Sequence, residues 1–484
     1  MAKNKNGVLR NLSWKFAERI SAQVVTLVVS IVLARLLDPA HYGLISIVNI
    51  FITLANVFVS DGFGSALIQK KDADIIDFSS VLYFNVCFSI TLYLILWFAA
   101  PYIAAFYGEG YELLVPVLRV LSLRLILSAI NSVQQAYISK HMLFEKFFWA
   151  TLFGTIASAF VGIYMAYKGF GVWALVAQYM TNTTIDTIIL QISINKWPVA
   201  QFSAERLRKL LGFGTRILGS NLLITGYQEL RALIIGKIYS SKDLAFYDKA
   251  KQFPSIIVTN INTSIGAVLF PKMSQLQDDK QKVKTLTRKS IRFGSYCMCP
   301  LMLGLAAVSR PVVSILLTDK WLPCVPLMQI LCINGMCLPF HTANMQATKA
   351  MGRSDITFKT EIIKKSIELV VLISVMKISV AAIVIGMAAC SVSFVFLNAY
   401  PNIKLINYSL KEQLSDLLPN LVMSLLMAGL VLLIGKVNIN IYALLFLQIL
   451  AGAVFYILLS AVMHKQEFEY IYQLVFRKNL KTKK

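Results

Sequence analysis

Fourteen apolar stretches, each near the ~20 residues a helix needs to cross a bilayer, run through this 484-residue chain. Their limits read as 14–37, 43–68, 80–107, 113–139, 147–167, 171–194, 210–236, 250–271, 293–317, 322–348, 357–376, 379–403, 414–434 and 440–463. Hydrophobic residues make up 57% of the chain and charged residues 15%. A soluble fold of this length has no interior large enough for so much apolar surface. The pattern therefore predicts an all-α, multi-pass membrane protein. Seven cysteines lie mostly inside the apolar runs without metal-ligand spacing, and they read as small core residues rather than a disulfide framework. The start, MAKNKNGVLR, is basic and runs into a long helix with no small-residue cleavage site, so no signal peptide is expected.

A net charge of +23 would suit a nucleic-acid binder, but the placement of the charge argues for a membrane protein. Thirty Lys and Arg residues fall in segments on the N-terminal side of the membrane, and ten fall on the other side. By the positive-inside rule both termini are expected in the cytoplasm, with the protein in the bacterial inner membrane and no nucleic-acid partner. One segment, Lys237 to Lys251, breaks the rule with four lysines on the outer side.

The stretch Val115 to Lys140 is long and apolar, yet it carries Arg119 and Arg124. From Arg124, polar residues follow at Ser128, Asn131 and Gln135, spacings of four, seven and eleven that share one helical face. A related stretch, Val325 to Ala350, lies 210 residues later, placing Arg124 on Asn334 and Asn131 on His341. The segment Trp197 to Leu210, with a Ser-Ala-Glu-Arg helix start, reads as a linker between two halves. The expected organisation is a six-helix lobe over 1–200, a second over 201–410, and two extra helices with a basic tail over 411–484. An even number of crossings per lobe relates the two by a pseudo-twofold axis along the membrane normal.

Other spans repeat the theme. Asn49, Thr53, Asn56 and Ser60 share a face of the second, and Ser255, Thr259 and Asn262 of the eighth. Span seven carries Arg216, Ser220, Tyr227 and Arg231 on one face and Glu229 on another, while Arg19 lies in span one. Ser, Thr and Asn often serve only to join membrane helices. Arginines in excess of acids instead need an anion or water, because buried charge in a membrane turns toward a protein interior or an aqueous cavity. The candidate substrate-binding residues are thus Arg19, Arg119, Arg124, Arg216, Arg231, Asn56, Asn131, Gln135, Asn262 and His341. Asp61, Asp186 and Glu229 are candidates to bind a coupling proton or sodium ion, and no other cofactor is expected. Arginine forks match phosphate, and amides and hydroxyls match sugars, so an anionic, hydroxyl-rich cargo fits. No P-loop, GxSxG, HExxH or dinucleotide fingerprint is present, and no connection is long enough for a soluble catalytic domain, so an enzyme is not expected.

The run LARLLDPAHYG (Leu33 to Gly43), the D-x-G-x-x-x-A-x-I-Q pattern (Asp61 to Gln69) and the VLRVLSL helix resemble the polysaccharide transporter family. That family belongs to the multidrug/oligosaccharidyl-lipid/polysaccharide exporter superfamily, and the resemblance is to its Wzx-type flippases of colanic and teichuronic acid export. It implies two six-helix lobes around a central cavity with two added C-terminal helices. It also implies flipping of an undecaprenyl-pyrophosphate-linked oligosaccharide by alternating access, with membrane lipids, a polysaccharide polymerase and glycosyltransferases as partners. A lipid-linked peptidoglycan-precursor flippase and a drug or cation antiporter of the same superfamily remain open alternatives, as does a membrane polymerase or ligase.

Overall fold

The computed structural model describes residues 2–61, 64, 67, 68, 70, 72–194 and 201–463. Within these, the side chains of 2–13, 16, 61, 209–217, 220, 264, 265, 267 and 268 lie outside the description. Among the described residues the chain is helical, without a strand. The helices are α1 (Ala2–Leu36), α2 (Pro39–Asn56), α3 (Ile75–Tyr107), α4 (Leu114–Ser122), α5 (Arg124–His141), α6 (Phe144–Tyr167), α7 (Val172–Ser193) and α8 (Ala204–Ile238). They continue as α9 (Ser241–Ser274), α10 (Lys280–Leu317), α11 (Cys324–Ala350), α12 (Ser354–Val375), α13 (Val380–Leu405), α14 (Leu410–Ile434) and α15 (Ile441–Met463). With α4 and α5 counted as one broken span, fourteen long helices stand on the fourteen apolar stretches. Among the described residues, ten helices are long and apolar enough to cross a membrane. Apolar side chains such as Phe98, Phe160 and Phe446 are exposed, as acyl chains require of a lipid-facing surface.

The chain divides into two compact units, Met1–Ala245 and Phe246–Lys484. The predicted repeat is visible in the helix limits. Leu114 and Phe144 begin helices 210 residues before Cys324 and Ser354, which also begin helices. The first unit packs around Leu67, Phe78, Val81, Val133, Ala136 and Leu207. The second packs around Met273, Ile291, Phe340, Ala343, Ala347, Ala399 and Tyr408.

Four local features differ from the sequence expectation. Span two is an α-helix only to Asn56 and then a π-helical turn, Val57–Asp61. The Ser60 hydroxyl donates to the Asn56 carbonyl at 2.7 Å, and Asn85 from α3 donates its amide to the Val59 carbonyl at 3.2 Å. That outside donor satisfies a carbonyl of the widened turn. Span four breaks at Leu123, where Leu123 N bonds Val120 O at 3.2 Å and Ile126 N bonds Leu123 O at 3.1 Å in a tightened turn. Arg124 is the first residue past the break.

The basic segment Pro271 to Arg292, which separates the apolar stretches 250–271 and 293–317, is mostly helix. Asp279 caps α10 by accepting from Gln281 N at 3.1 Å and Lys282 N at 3.0 Å. Val283, Thr287 and Ile291 are buried at four-residue steps, while Lys284, Arg288 and Arg292 meet Glu412 and Asp416 of α14. The lysines of 237–251 are largely structural cations. Lys237 donates to the Phe106 carbonyl, Lys242 lies 4.0 Å from the Asp38 carboxylate, and buried Lys249 sits 5.7 Å from the Trp321 ring centroid.

The LARLLDPAHYG run has a packing explanation. Asp38 caps α2 by accepting from Ala40 N at 2.8 Å, and Pro39 takes the first helical turn, where its missing N–H costs nothing. Gly43 then lets α2 meet the start of α9, since a Cβ there would lie 1.7 Å from the Ser241 carbonyl oxygen.

Candidate functional site

The polar face of α5 forms the centre of the first unit's site. Asn131 donates to the Asp186 carboxylate at 2.7 Å, and Gln135 donates to Asn131 Oδ1 at 2.5 Å. These bonds tie α5 to α7. Gly154 of α6 allows α7 to approach closely, because a Cβ there would meet Asn182 O at 3.2 Å and Asp186 N at 3.3 Å.

Beside this ladder lies a cavity of about 480 Å³. Asn56 and Ser60 of span two, Ser128, Asn131 and Gln135 of α5, and Asn182, Thr183 and Asp186 of α7 line it. Four sequence-predicted residues, Asn56, Asn131, Gln135 and Asp186, therefore meet at one place. Arg124 stands at its edge. Its Nε donates to the lining Thr183 hydroxyl at 3.1 Å, and its guanidinium lies 5.0 Å from the Tyr179 ring centroid. Among the described lining residues the charged one is the acid Asp186, so this cavity is less cationic than the arginine excess suggests.

The other candidates lie elsewhere. Arg119 donates to the Trp97 carbonyl at 3.3 Å and covers that indole at 4.5 Å, away from the cavity lining. Such stacking holds a cation at an aromatic surface. Arg19 is exposed on α1 and is not among the lining residues. Arg231 lies 5.5 Å from the Tyr227 ring centroid, one turn back on α8, and Glu229 is half-buried on the same helix. The side chains of Arg216 and Asp61 lie outside the described residues.

In the second unit, His341 Nδ1 accepts from Asn398 at 2.8 Å and its Nε2 donates to the Ser391 carbonyl at 3.1 Å. Asn262 accepts from the Thr342 hydroxyl at 2.7 Å. His341 thus joins α11 to α13 as Asn131, 210 residues earlier, joins α5 to α7. Sequence reasoning missed the neighbouring rung. Gln134 donates to Gln191 Oε1 at 2.6 Å, and Asn344, 210 residues on, accepts from Asn402 at 2.8 Å. The repeat offset was the signal that would have found this pair.

At the end of α3 nearest the N-terminus of α8, Arg206 grips Asp74 at 2.5 Å and Lys70 meets buried Asp77 at 2.6 Å. Hydrogen bonding from the Arg206 guanidinium holds the Asp74 carboxyl at about 2, below the usual carboxylate range. Ser203, the N-cap of the predicted Ser-Ala-Glu-Arg start, accepts from Arg206 N at 3.5 Å.

With this geometry in hand, comparison with known proteins is informative. The family model described as "Polysaccharide biosynthesis protein" matches residues 32–326. The chain belongs to this family. Among its relatives, the teichuronic acid biosynthesis protein TuaB of Bacillus subtilis (strain 168) is 25% identical over 309 residues, 63% of each chain. The match thus spans less than two thirds of that relative's length. The lipopolysaccharide biosynthesis protein WzxC of Escherichia coli (strain K12) is 23% identical over 69% of this chain and 68% of its own. The fold is that of a solved structure of the lipid II flippase MurJ, with a TM-score of 0.73 over 94% of this chain and 99% of that one. At 16% identity this likeness establishes the fold alone.

Proposed function

We propose that the protein moves an undecaprenyl-pyrophosphate-linked oligosaccharide across the bacterial inner membrane by alternating access, for the assembly of a surface polysaccharide. One observation supports this reading most strongly. A cavity of about 480 Å³, walled by amides and hydroxyls, has an arginine at its edge within a membrane-helix bundle of this family. Amides and hydroxyls match sugar hydroxyls, and a guanidinium fork matches a phosphate. Cytoplasmic termini, coupling to a proton or sodium gradient, and cooperation with a polymerase and glycosyltransferases belong to the same proposal.

Asp186 gives a second reading its footing, because a carboxylate in such a cavity also suits the cationic cargo of a drug antiporter. Deleting the gene separates the two. Glycolipid accumulating on the cytoplasmic leaflet, identified by mass, together with loss of surface polysaccharide, supports the proposal. Normal glycan export with raised sensitivity to cationic dyes supports the antiporter.

A further inference from the structure

Three hydroxyls that line the first unit's cavity donate away from it. Ser60 donates to Asn56 O at 2.7 Å, Ser132 to Ala129 O at 3.0 Å, and Thr183 to Tyr179 O at 3.1 Å. Each hydroxyl proton returns to its own helix, as small hydroxyl residues in helices commonly arrange. Each therefore presents an oxygen to the cavity. The amides behave alike. Gln135 donates to Asn131 and Asn131 to Asp186 Oδ2, so the chain of donors ends on the carboxylate. Two buried acceptors, Asp186 Oδ1 and Asn56 Oδ1, are left without a hydrogen-bond partner, and both residues line the same cavity. Buried polar atoms without partners are rare, and a polar ligand is one way to satisfy them.

We infer that this cavity is a subsite for an uncharged sugar, recognised through its hydroxyl or acetamido donors, and that it rejects a uronate. The inference rests on the glycan-transport reading and deepens it. The sugar beside Asp186 must bring protons, and a sugar carboxylate there faces the Asp186 carboxylate and the unpartnered Asn56 oxygen. A site built to pair with a donor discriminates strongly against a ligand that lacks one. Arg124, at the edge, is left for an anionic group further along the cargo.

The test uses the full-length protein in detergent and saturation-transfer NMR with two soluble probes, a neutral disaccharide and its uronate analogue. The neutral probe is expected to bind about tenfold more tightly, the difference that one hydrogen bond to a charged group supplies. Asp186→Asn should narrow the gap by improving uronate binding, and Asn56→Asp, which adds a carboxylate, should widen it. Equal binding of both probes by the wild type, or a gap unchanged in both variants, overturns the inference. So does a D186N protein that loses its response to a proton or sodium gradient while the gap persists, because the carboxylate then serves the coupling ion. Transport of lipid-linked glycan in vesicles is a separate reading. If it fails while the gap holds, the transport proposal falls and the subsite stands.

Discussion

Asp416 is a buried carboxylate that ties α14 to α10, and removing it should loosen the two helices. It is 1% exposed and accepts from Arg288 at 2.8 and 3.0 Å, Arg292 at 2.7 Å and Tyr408 at 2.6 Å. Asp416→Ala strands these donors unequally. Tyr408 is fully buried, so its unpaired hydroxyl costs about 1–3 kcal/mol. The two arginine side chains are each 37% exposed and can be rehydrated, so each loses only about 0.3–1 kcal/mol. The expected total is about 3 kcal/mol, at the low end of the ~3–5 kcal/mol typical of a fully buried broken pair. Equilibrium unfolding in SDS, followed by tryptophan fluorescence, measures it. Asp416→Ala combined with Tyr408→Phe should cost about 1 kcal/mol less than the two single changes added together, since both remove the same bond. If Asp416→Ala unfolds within about 0.5 kcal/mol of wild type, an ordinary surface change, the reasoning fails.

Three other outcomes follow from the same geometry. Gly43→Ala forces a Cβ against the Ser241 backbone and should destabilise by more than about 2 kcal/mol, whereas Gly219→Ala, with nothing within 4 Å, should stabilise α8 by about 0.5–1 kcal/mol; the unfolding midpoints of both variants check this. Arg124→Ala should abolish glycan transport at normal protein levels, while Arg119→Ala, whose contacts are to Trp97, should keep it; a vesicle assay of the two compares them directly. Arg206 lowers the Asp74 carboxyl from 3.8 to about 2, so the folded state favours the ionised form. The stability that Arg206 lends is therefore complete above the ordinary carboxylate range and lost as pH falls toward about 2. With both side chains well exposed, solvent screening keeps this contribution small. The stability difference between wild type and Arg206→Ala should thus be flat from neutral to mildly acidic pH and vanish in strong acid.

The helices were legible because the bilayer demands long apolar runs, and the stripe of Ser128, Asn131 and Gln135 because helical spacing fixes which residues share a face. That spacing also brought Asn56 into consideration, Asp186 stood out as an acid inside an apolar span, and packing then placed both around one cavity. What escaped the sequence depended on distant partners. The π-helical turn after Asn56 is held by Asn85, 26 residues from Val59. The anchor of α14 joins Asp416 to arginines 124 and 128 residues away. Arg119 and Arg124 look alike in a list of buried charges, and only the packing of Trp97 against one and Thr183 against the other separates them. The extension of α10 falls outside the apolar stretches because its charges mask the four-residue rhythm of Val283, Thr287 and Ile291.

The central claim is transport of a lipid-linked glycan, and reconstitution tests it most directly. The purified protein in vesicles should carry an undecaprenyl-pyrophosphate-linked oligosaccharide between leaflets, read as the fraction of sugar that a membrane-impermeant glycosidase can reach over time. This fraction is expected to rise toward completion with wild-type protein and to stay at the level of protein-free vesicles with Arg124→Ala. A wild-type protein that leaves the glycan on its original leaflet, in the presence of proton and sodium gradients of either sign, contradicts it.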